Sequence, residues 1–216
     1  RDVLEHNVNS IRPRIPTIEL WGNDVPFGID LLFATNEYSF GIEICEDLWS
    51  PLPASTQLAI QGAEIIFNLS ADNESIGKYF YLRSLLAQQS ARCIAGYVFS
   101  SCGFGESTTD VVFDGKGLIY ENGTLIAESE RFSIKEQLII SEIDVERIRN
   151  ERRTNTTFAA NIAHNSNKEA IHVATELVNP RETILTRTIE AHPFVPKGEE
   201  LNKRCEEIFA IQVAGL

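Results

Sequence analysis

The strongest constraint on the fold is an alternation of strand-like and helix-like segments within the first hundred residues. Tyr38–Ile44 and Ala63–Leu69 are short, apolar runs rich in β-branched or aromatic residues, which is typical of strands. Between them, Ala54–Gly62 has apolar residues at helical spacing and ends at a glycine, as helices commonly do. Lys78–Cys93 predicts a longer helix and Ala95–Ser100 a third strand. This order predicts a layered α/β fold whose sheet is largely covered on one face.

The segments that flank this alternation predict further strands. Ile29–Ala34 reads as a strand that turns at Thr35–Glu37. Asp114-Gly115 and Asn122-Gly123 are strong hairpin signals because these residues tolerate positive φ. Around these turns the sequence predicts a meander of four strands, Val111–Phe113, Gly117–Tyr120, Thr124–Glu128 and Gln137–Ile143.

The last third of the chain is less regular. Ile143–Glu151 predicts a charged helix, and residues 154–196 are polar and weakly patterned, ending in an HPFVP segment that reads as an extended linker. Glu199–Leu216 carries apolar residues at helical spacing. Since such a helix must bury its apolar stripe, we expect it to begin a second domain.

Composition excludes several classes of function. The 216 residues hold 19 Lys plus Arg against 31 Asp plus Glu, a formal net charge of −12 that argues against nucleic acid as a partner. No run of about 18 apolar residues is present, so we expect no membrane span, and the polar start predicts no signal peptide. The expected compartment is the cytoplasm. Four scattered cysteines and four scattered histidines predict neither a disulfide framework nor a metal site.

One cysteine occupies a position that suits chemistry. In the segment GIEICEDLW, Cys45 lies where an apolar strand gives way to a turn. Such an elbow exposes a side chain and directs backbone N–H groups at the same point, as nucleophilic acyl chemistry requires. The alternative is a buried thiol at the end of a core strand.

The charges around Cys45 require a cation from elsewhere. Glu43, Glu46 and Asp47 surround it in sequence, and negative charge raises the pKa of a thiol. Lys78 is the nearest basic residue in sequence. If the two strands before them are parallel neighbours, both residues lie at the same sheet edge; a solvated surface lysine is the alternative.

The segments GIEICEDLW, NLSADNESIGK (68–78), QQSARC (88–93) and GFGESTTDVVFDGKGLIYENG (103–123) together resemble the glutamine-hydrolysing domain of glutamine-dependent NAD synthetases, which belong to the nitrilase superfamily. The tail HPFVPKGEELNKRCEEIFAIQVAGL (192–216) is similar to the linker and first helix that lead into the synthetase domain of these enzymes. The resemblance implies an α/β fold, an incomplete nitrilase-like α-β-β-α sandwich over residues 1–190. Residues 191–216 are then the linker and one helix of the second domain.

The resemblance implies a catalytic trio of Glu, Lys and Cys. By that match Cys45 attacks the side-chain amide of glutamine, forms a glutamyl thioester and releases ammonia. In the family the Glu and Lys lie upstream of the segment that matches residues 1–40, and the first lysine of this chain is Lys78. We therefore expect both groups to be missing from this sequence, and the fragment by itself to be inactive.

The same match implies four substrate-binding residues. Glu46 matches a residue that contacts the amino group of glutamine, and a carboxylate suits an ammonium. Trp49 matches an aromatic residue of the pocket, with a core aromatic as the alternative. Asp72 and Lys78 lie where some relatives have Ser and Arg that hold the α-amino and α-carboxylate groups. Lys78 keeps the charge but loses the bidentate fork, whereas Asp72 can bind through its backbone or its carboxylate.

The resemblance also implies partners. Ammonia would pass through an internal tunnel to the synthetase domain, which uses ATP and Mg²⁺ to amidate nicotinic acid adenine dinucleotide, within a homo-oligomer. No cofactor or metal is expected in residues 1–216. Two other functions stay open, a nitrilase-superfamily amidase or carbamoylase with another substrate, and a non-catalytic scaffold module.

Overall fold

Three parallel strands form the centre of a seven-stranded mixed sheet in the computed structural model. They are β4 (Ser39–Ile44), β5 (Ile65–Ser70) and β6 (Gly96–Ser101), joined by the helices α1 (Ala54–Ile60) and α2 (Lys78–Cys93). The predicted alternation is confirmed, and the bounds of α2 agree with the prediction. The carboxyl ends of β4, β5 and β6 therefore meet at one edge of the sheet.

Four further strands, β3 (Leu31–Ala34), β7 (Gly117–Glu121), β8 (Thr124–Glu128) and β9 (Ile171–Ala174), complete the sheet in the order β8-β7-β6-β5-β4-β3-β9. β3 (Leu31–Ala34) is antiparallel to β4, and the two are joined by the predicted turn, in which Thr35 Oγ1 accepts from the backbone N–H of Tyr38 at 3.0 Å. β7 (Gly117–Glu121) and β8 (Thr124–Glu128) form the predicted hairpin. Its turn residues Asn122 and Gly123 have φ values of 44° and 85°, which is why this Asn-Gly pair favours the turn.

Two of the predicted meander strands are wrong. Val111–Phe113 and Gln137–Ile143 form no strand. The second segment is apolar for a different reason, since Ile139 packs against Gly117 and Ile143 packs against Gly96. Its side chains therefore cover strands instead of extending the sheet. The turn predicted at Asp114-Gly115 is not formed: Gly115 has a φ of 71°, but these two residues form no turn and connect no strands.

Other elements are absent from the sequence prediction. A hairpin of β1 (Thr17–Leu20) and β2 (Asn23–Pro26) precedes the sheet. After α3 (Val145–Thr154), the helix expected near residues 143–151, a further helix α4 (Thr156–His164) follows directly. Asn155 caps α4 by accepting from the backbone N–H of Phe158 at 2.9 Å.

One more strand was not predicted. β9 (Ile171–Ala174) pairs in parallel with β3 and is the edge strand on that side of the sheet. Four residues in polar surroundings give too short a pattern for a strand to be recognised.

The hydrophobic core lies on one face of the sheet, as predicted. There the helices α1 and α2 pack on the inward side chains of the strands, and the core residues are Leu32, Leu48, Leu58, Ala63, Ile66, Leu82, Leu86, Tyr97, Phe99, Leu118 and Tyr120. The opposite face is partly open at β4 and β5, where Ile42, Ile44 and Leu69 are 39%, 56% and 53% exposed.

The structure describes residues 16–165, 170–176, 187–188, 198 and 200–215. These belong to two compact units divided between residues 181 and 182. The second unit contains the predicted terminal helix as α5 (Glu200–Ala214), with Ile208, Phe209 and Ile211 exposed. The predicted linker at 192–196 lies outside the described residues, and the domain boundary after residue 190 stays a prediction. None of the described helices is both long and apolar enough to cross a membrane.

Candidate active site

Cys45 begins a short 3-10 helix, Cys45–Trp49, directly after the end of β4. Its φ of 45° lies in the left-handed region, which is uncommon for a residue with a Cβ. The turn is held by Asp47 Oδ2, which accepts from the backbone N–H of Ile44 at 3.0 Å, and by Leu48, which is 1% exposed. The half-buried thiol is thus presented at the carboxyl edge of the parallel strands, where the sequence predicted an elbow.

A buried glutamate lies beneath this elbow. Glu43 is 1% exposed, and its Oε2 accepts from the backbone N–H of Ser55 at 2.7 Å, in the first turn of α1. Its Oε1 accepts from the Tyr97 hydroxyl and, at 3.3 Å, from Asn68 Nδ2. Burial and the Glu43 carboxylate both raise the pKa of Tyr97. Glu43 therefore ties the strand that bears Cys45 to β5, β6 and α1.

Three of the predicted substrate-binding residues lie together. Lys78 Nζ lies 2.7 Å from Asp72 Oδ1 and 5.1 Å from the centre of the Trp49 ring, which stacks on Tyr81 at 5.6 Å. The same ammonium donates to the backbone oxygen of Asn73 at 2.7 Å and to its Oδ1 at 2.9 Å. Trp49 is therefore partly buried and packs against the hydrophobic core, while its ring faces Lys78. Lys78 is not a free surface lysine.

Glu46 follows the thiol and is exposed. No hydrogen bond joins it to Trp49, Asp72 or Lys78 among the residues that the structure describes. The structure thus places Glu46 on the same short helix as Trp49 without bringing it into the cluster.

A buried charge cluster lies behind Asp72. Lys116 is 1% exposed, and its Nζ lies 3.1 Å from Asp72 Oδ2, 3.0 Å from Glu74 Oε2 and 3.1 Å from Asp114 Oδ1. Arg131 closes the cluster from outside, at 2.9 Å from Glu74 Oε2 and 2.6 Å from Asp114 Oδ2. Such a buried set of charges is tolerated because each carboxylate faces at least one cation.

The cluster shifts the titration of its members. Burial lowers the pKa of Lys116, but the contacts with the carboxylates of Glu74, Asp72 and Asp114 outweigh it, so the pKa is raised overall. Burial likewise raises the pKa of Asp114, yet the hydrogen bond from Arg131 and the charge of Lys116 hold it below its usual value. Both groups therefore stay charged through the neutral range.

We expect the free energy of unfolding to depend less on pH below about pH 4 in Asp114→Asn than in the wild type. A carboxyl with a lowered pKa in the folded state stabilises the fold above its unfolded-state pKa of about 3.9 and loses that contribution as the pH falls further. Removing the buried charge should cost about 3 kcal/mol at pH 7, and the variant should then lose less stability on acidification than the wild type. Unfolding midpoints measured from pH 7 to pH 2 test this.

The exposed Asp110 supplies the matched control, because Asp110→Asn should leave the pH dependence unchanged. Parallel loss of stability in wild type and Asp114→Asn below pH 4 would show that Asp114 makes no such contribution.

A second thiol lies near the elbow. Cys102 directly follows β6, and burial and the Glu106 carboxylate raise its pKa, with a smaller contribution from Cys45. No side chain among residues 16–165 makes a hydrogen bond to the Cys45 thiol. This part of the chain therefore supplies neither a base nor a cation in contact with the sulfur.

The sequence did not indicate a role in the site for three residues, Glu43, Lys116 and Cys102. Glu43 could have been found, since strand alternation places it on the same inward face as Gly41 in an otherwise apolar run. Lys116 gives no such signal, because its partners Asp72 and Glu74 lie about 40 residues away in sequence.

Comparison with known proteins gives the chain its family. The carbon-nitrogen hydrolase family model matches residues 16–153. The glutamine-dependent NAD(+) synthetases of Mycobacterium tuberculosis and Mycobacterium leprae are 41% and 40% identical over 207 residues, which is 93% of this chain and 30% of theirs. The glutamine-dependent NAD(+) synthetase of Drosophila melanogaster is 31% identical over 71% of this chain and 20% of its own length.

Among solved structures, the carbon-nitrogen hydrolase from Helicobacter pylori superposes with a TM-score of 0.53 at 19% identity, over 68% of this chain and 55% of that one. This likeness concerns the fold, and the single sheet with helices on one face is an incomplete nitrilase-like fold, as predicted. The chain spans less than a third of the length of the curated relatives. It belongs to the carbon-nitrogen hydrolase family.

Proposed function

We propose that this chain carries the nucleophile of the glutaminase domain of a glutamine-dependent NAD synthetase. A general base takes the proton of the Cys45 thiol, and the thiolate attacks the side-chain amide carbon of glutamine. The C–N bond breaks as that proton passes to the leaving nitrogen, which departs as ammonia. Water then cleaves the thioester to give glutamate. The ammonia serves the ATP-dependent amidation of nicotinic acid adenine dinucleotide in another domain of the same protein.

The observation that carries this proposal is the place of Cys45. A thiol with positive φ directly after a central parallel strand is turned out at the carboxyl edge of the sheet, which is where open α/β sheets bind their ligands. A core thiol needs no such conformation; Cys93, for comparison, is 3% exposed and burial raises its pKa to about 12. The 41% identity to glutamine-dependent NAD synthetases supports the choice of substrate.

The charged residues that follow β4 and β5 at the carboxyl edge of the sheet suit the two ends of a free amino acid. Lys78 offers an ammonium for the α-carboxylate, and Glu46 offers a carboxylate for the α-ammonium. The Asp72 carboxylate, which is 4% exposed, holds Lys78 in place, and Asp72 meets the substrate through its backbone. Trp49, stacked on Tyr81 and facing Lys78, supplies an apolar wall. Trp49, Asp72 and Lys78 would act as one cluster, and Glu46 would contribute from the exposed side of the short helix that also carries Trp49.

The base and the cation that activate Cys45 come, in this proposal, from other parts of the protein. Lys78 is engaged by Asp72 and Asn73, and Lys116 is engaged by three carboxylates. The sequence has no lysine before residue 78. We therefore expect the 216-residue chain alone to hydrolyse no glutamine. The reaction takes place in the cytoplasm of a homo-oligomeric protein whose synthetase domain holds ATP and Mg²⁺.

Affinity labelling tests the proposal. The full-length protein is treated with a glutamine analogue that carries a diazoketone in place of the amide, and the modified peptide is identified by mass spectrometry. We expect one label per chain, on Cys45, with protection by glutamine. Cys205→Ala, which removes an exposed thiol of α5, should be labelled as the wild type is. A label on Cys93 or Cys102, or labelling that glutamine does not reduce, would contradict the proposal.

A further inference from the structure

We propose that the buried Lys116 is a positioning residue that keeps Lys78 available to the carboxylate of the substrate, because it shares the charge of Asp72. This inference rests on the proposed function, in which that anion is the α-carboxylate of glutamine. Lys116 touches no substrate in this arrangement and acts through Asp72 alone.

Asp72 connects an accessible cation to an inaccessible one. Its Oδ1 lies 2.7 Å from Lys78 Nζ, and its Oδ2 lies 3.1 Å from Lys116 Nζ. The side chain of Lys78 is 21% exposed, whereas that of Lys116 is 1% exposed. A ligand from solution can therefore reach Lys78 but not Lys116.

The charges of the cluster balance only when Lys116 is counted. The carboxylates of Asp72, Glu74 and Asp114 face the cations Lys78, Lys116 and Arg131, three against three. Without Lys116, three carboxylates share two cations in a buried site. The remaining cations, Lys78 among them, are then held more tightly by the excess of negative charge.

Lys78 Nζ donates two hydrogen bonds to Asn73 and forms an ion pair with Asp72 Oδ1, so an anionic ligand must compete with these contacts. The attraction between Lys78 and Asp72 is weakened by Lys116, because one carboxylate is shared between two cations. Lys116 thereby sets how readily Lys78 turns to a substrate carboxylate.

Lys116 also fixes the loop that carries this pair. Asp72 and Glu74 lie between β5 and α2, where the backbone N–H of Asp72 donates to Ser101 Oγ at 3.0 Å and that of Glu74 donates to the carbonyl oxygen of Val112 at 2.7 Å. Lys116, directly before β7, joins both side chains of this loop to Asp114. A purely structural role would affect every substrate alike, whereas the charge-sharing role concerns only substrates with an α-carboxylate.

The test compares two amides in the full-length protein. Glutamine carries the α-carboxylate, and 4-aminobutanamide lacks it. Lys116→Met should raise KM for glutamine about tenfold with kcat changed by no more than about twofold, and should leave kcat/KM for 4-aminobutanamide unchanged. Lys116→Arg keeps the charge and should restore KM for glutamine to within about threefold of the wild type.

A second variant keeps the test decisive if Lys116→Met does not fold. Lys116→Met combined with Asp114→Asn removes one buried cation and one buried carboxylate together, so the cluster stays balanced while Asp72 still loses its second partner. The same selective rise in KM is expected. An equal loss of kcat/KM for both amides, or an unchanged ratio of their KM values, overturns the role of Lys116 and leaves the proposed function standing. A wild-type protein that does not hydrolyse glutamine overturns the proposed function and this inference together.

Discussion

Replacing Cys45 by alanine is expected to lower glutamine-driven NAD synthesis by the full-length protein at least about 10³-fold, as the loss of a catalytic nucleophile does. The thiolate sulfur of Cys45 forms the covalent bond. The nearby Cys102 cannot replace it, because burial and the Glu106 carboxylate raise the pKa of the Cys102 thiol. Synthesis driven by free ammonia should be unchanged, since ammonia bypasses this site. The measurement is NAD formation with either nitrogen source, alongside glutamate release.

Cys205→Ala supplies the control, because this thiol is exposed on α5, in the second unit. It should leave both activities at the wild-type level. If Cys45→Ala retains glutamine-driven synthesis, Cys45 is a structural thiol and a scaffold role has to be considered. If both activities disappear together, the substitution has damaged the fold or the coupling between domains, and the assignment of a separate ammonia-supplying site is contradicted.

Glu43→Ala should give the largest loss of stability in the first unit, about 3–5 kcal/mol. The substitution leaves two buried donors without an acceptor, the Ser55 N–H and the Tyr97 hydroxyl, and removes one of the two acceptors of Asn68 Nδ2. Hydrogen exchange of the full-length protein measures this locally, independently of other domains. We expect faster exchange in peptides that cover α1, whose first turn Glu43 holds.

Two further variants separate the contributions. Glu43→Gln can still accept from Tyr97, but its amide would face the Ser55 N–H with a donor, so an intermediate loss is expected. Glu136→Ala removes an exposed carboxylate and should change stability by less than about 0.5 kcal/mol. Unchanged hydrogen exchange across α1 in Glu43→Ala would show that the contacts of Glu43 do not hold β4 and α1 together.

The parts of the fold that the sequence predicted correctly are those whose pattern is local. α2 was recognised because a polar loop precedes it and its apolar residues recur at helical spacing over 16 residues. The segment at 137–143 was mistaken for a strand because its isoleucines are β-branched, yet they pack on Gly96 and Gly117 of the sheet. Apolar residues indicate burial, and only the tertiary structure decides whether the backbone also pairs.

The same division applies to the site. Cys45 could be recognised because strand, turn and thiol are adjacent in sequence. The ion pair between Lys78 and Asp72 could have been predicted from the sequence, because the two residues are six positions apart. The burial of Lys116 could not have been predicted, because it depends on a contact between the β5–α2 loop and the start of β7. A lysine in a polar segment is ordinarily exposed to solvent.

The pairing of β3 with β9 has a consequence for the timing of synthesis. Leu31 pairs with Ile171, about 140 residues later in the chain. At a translation rate of roughly 5–20 residues per second, β3 leaves the ribosome roughly 7–28 s before its partner exists. During that interval the sequence LLFA is an apolar strand with one unpaired edge, which is the kind of surface that associates with other nascent chains. Slower elongation between these two strands would lengthen that exposure, so the yield of folded protein should depend on the translation rate over residues 35–170.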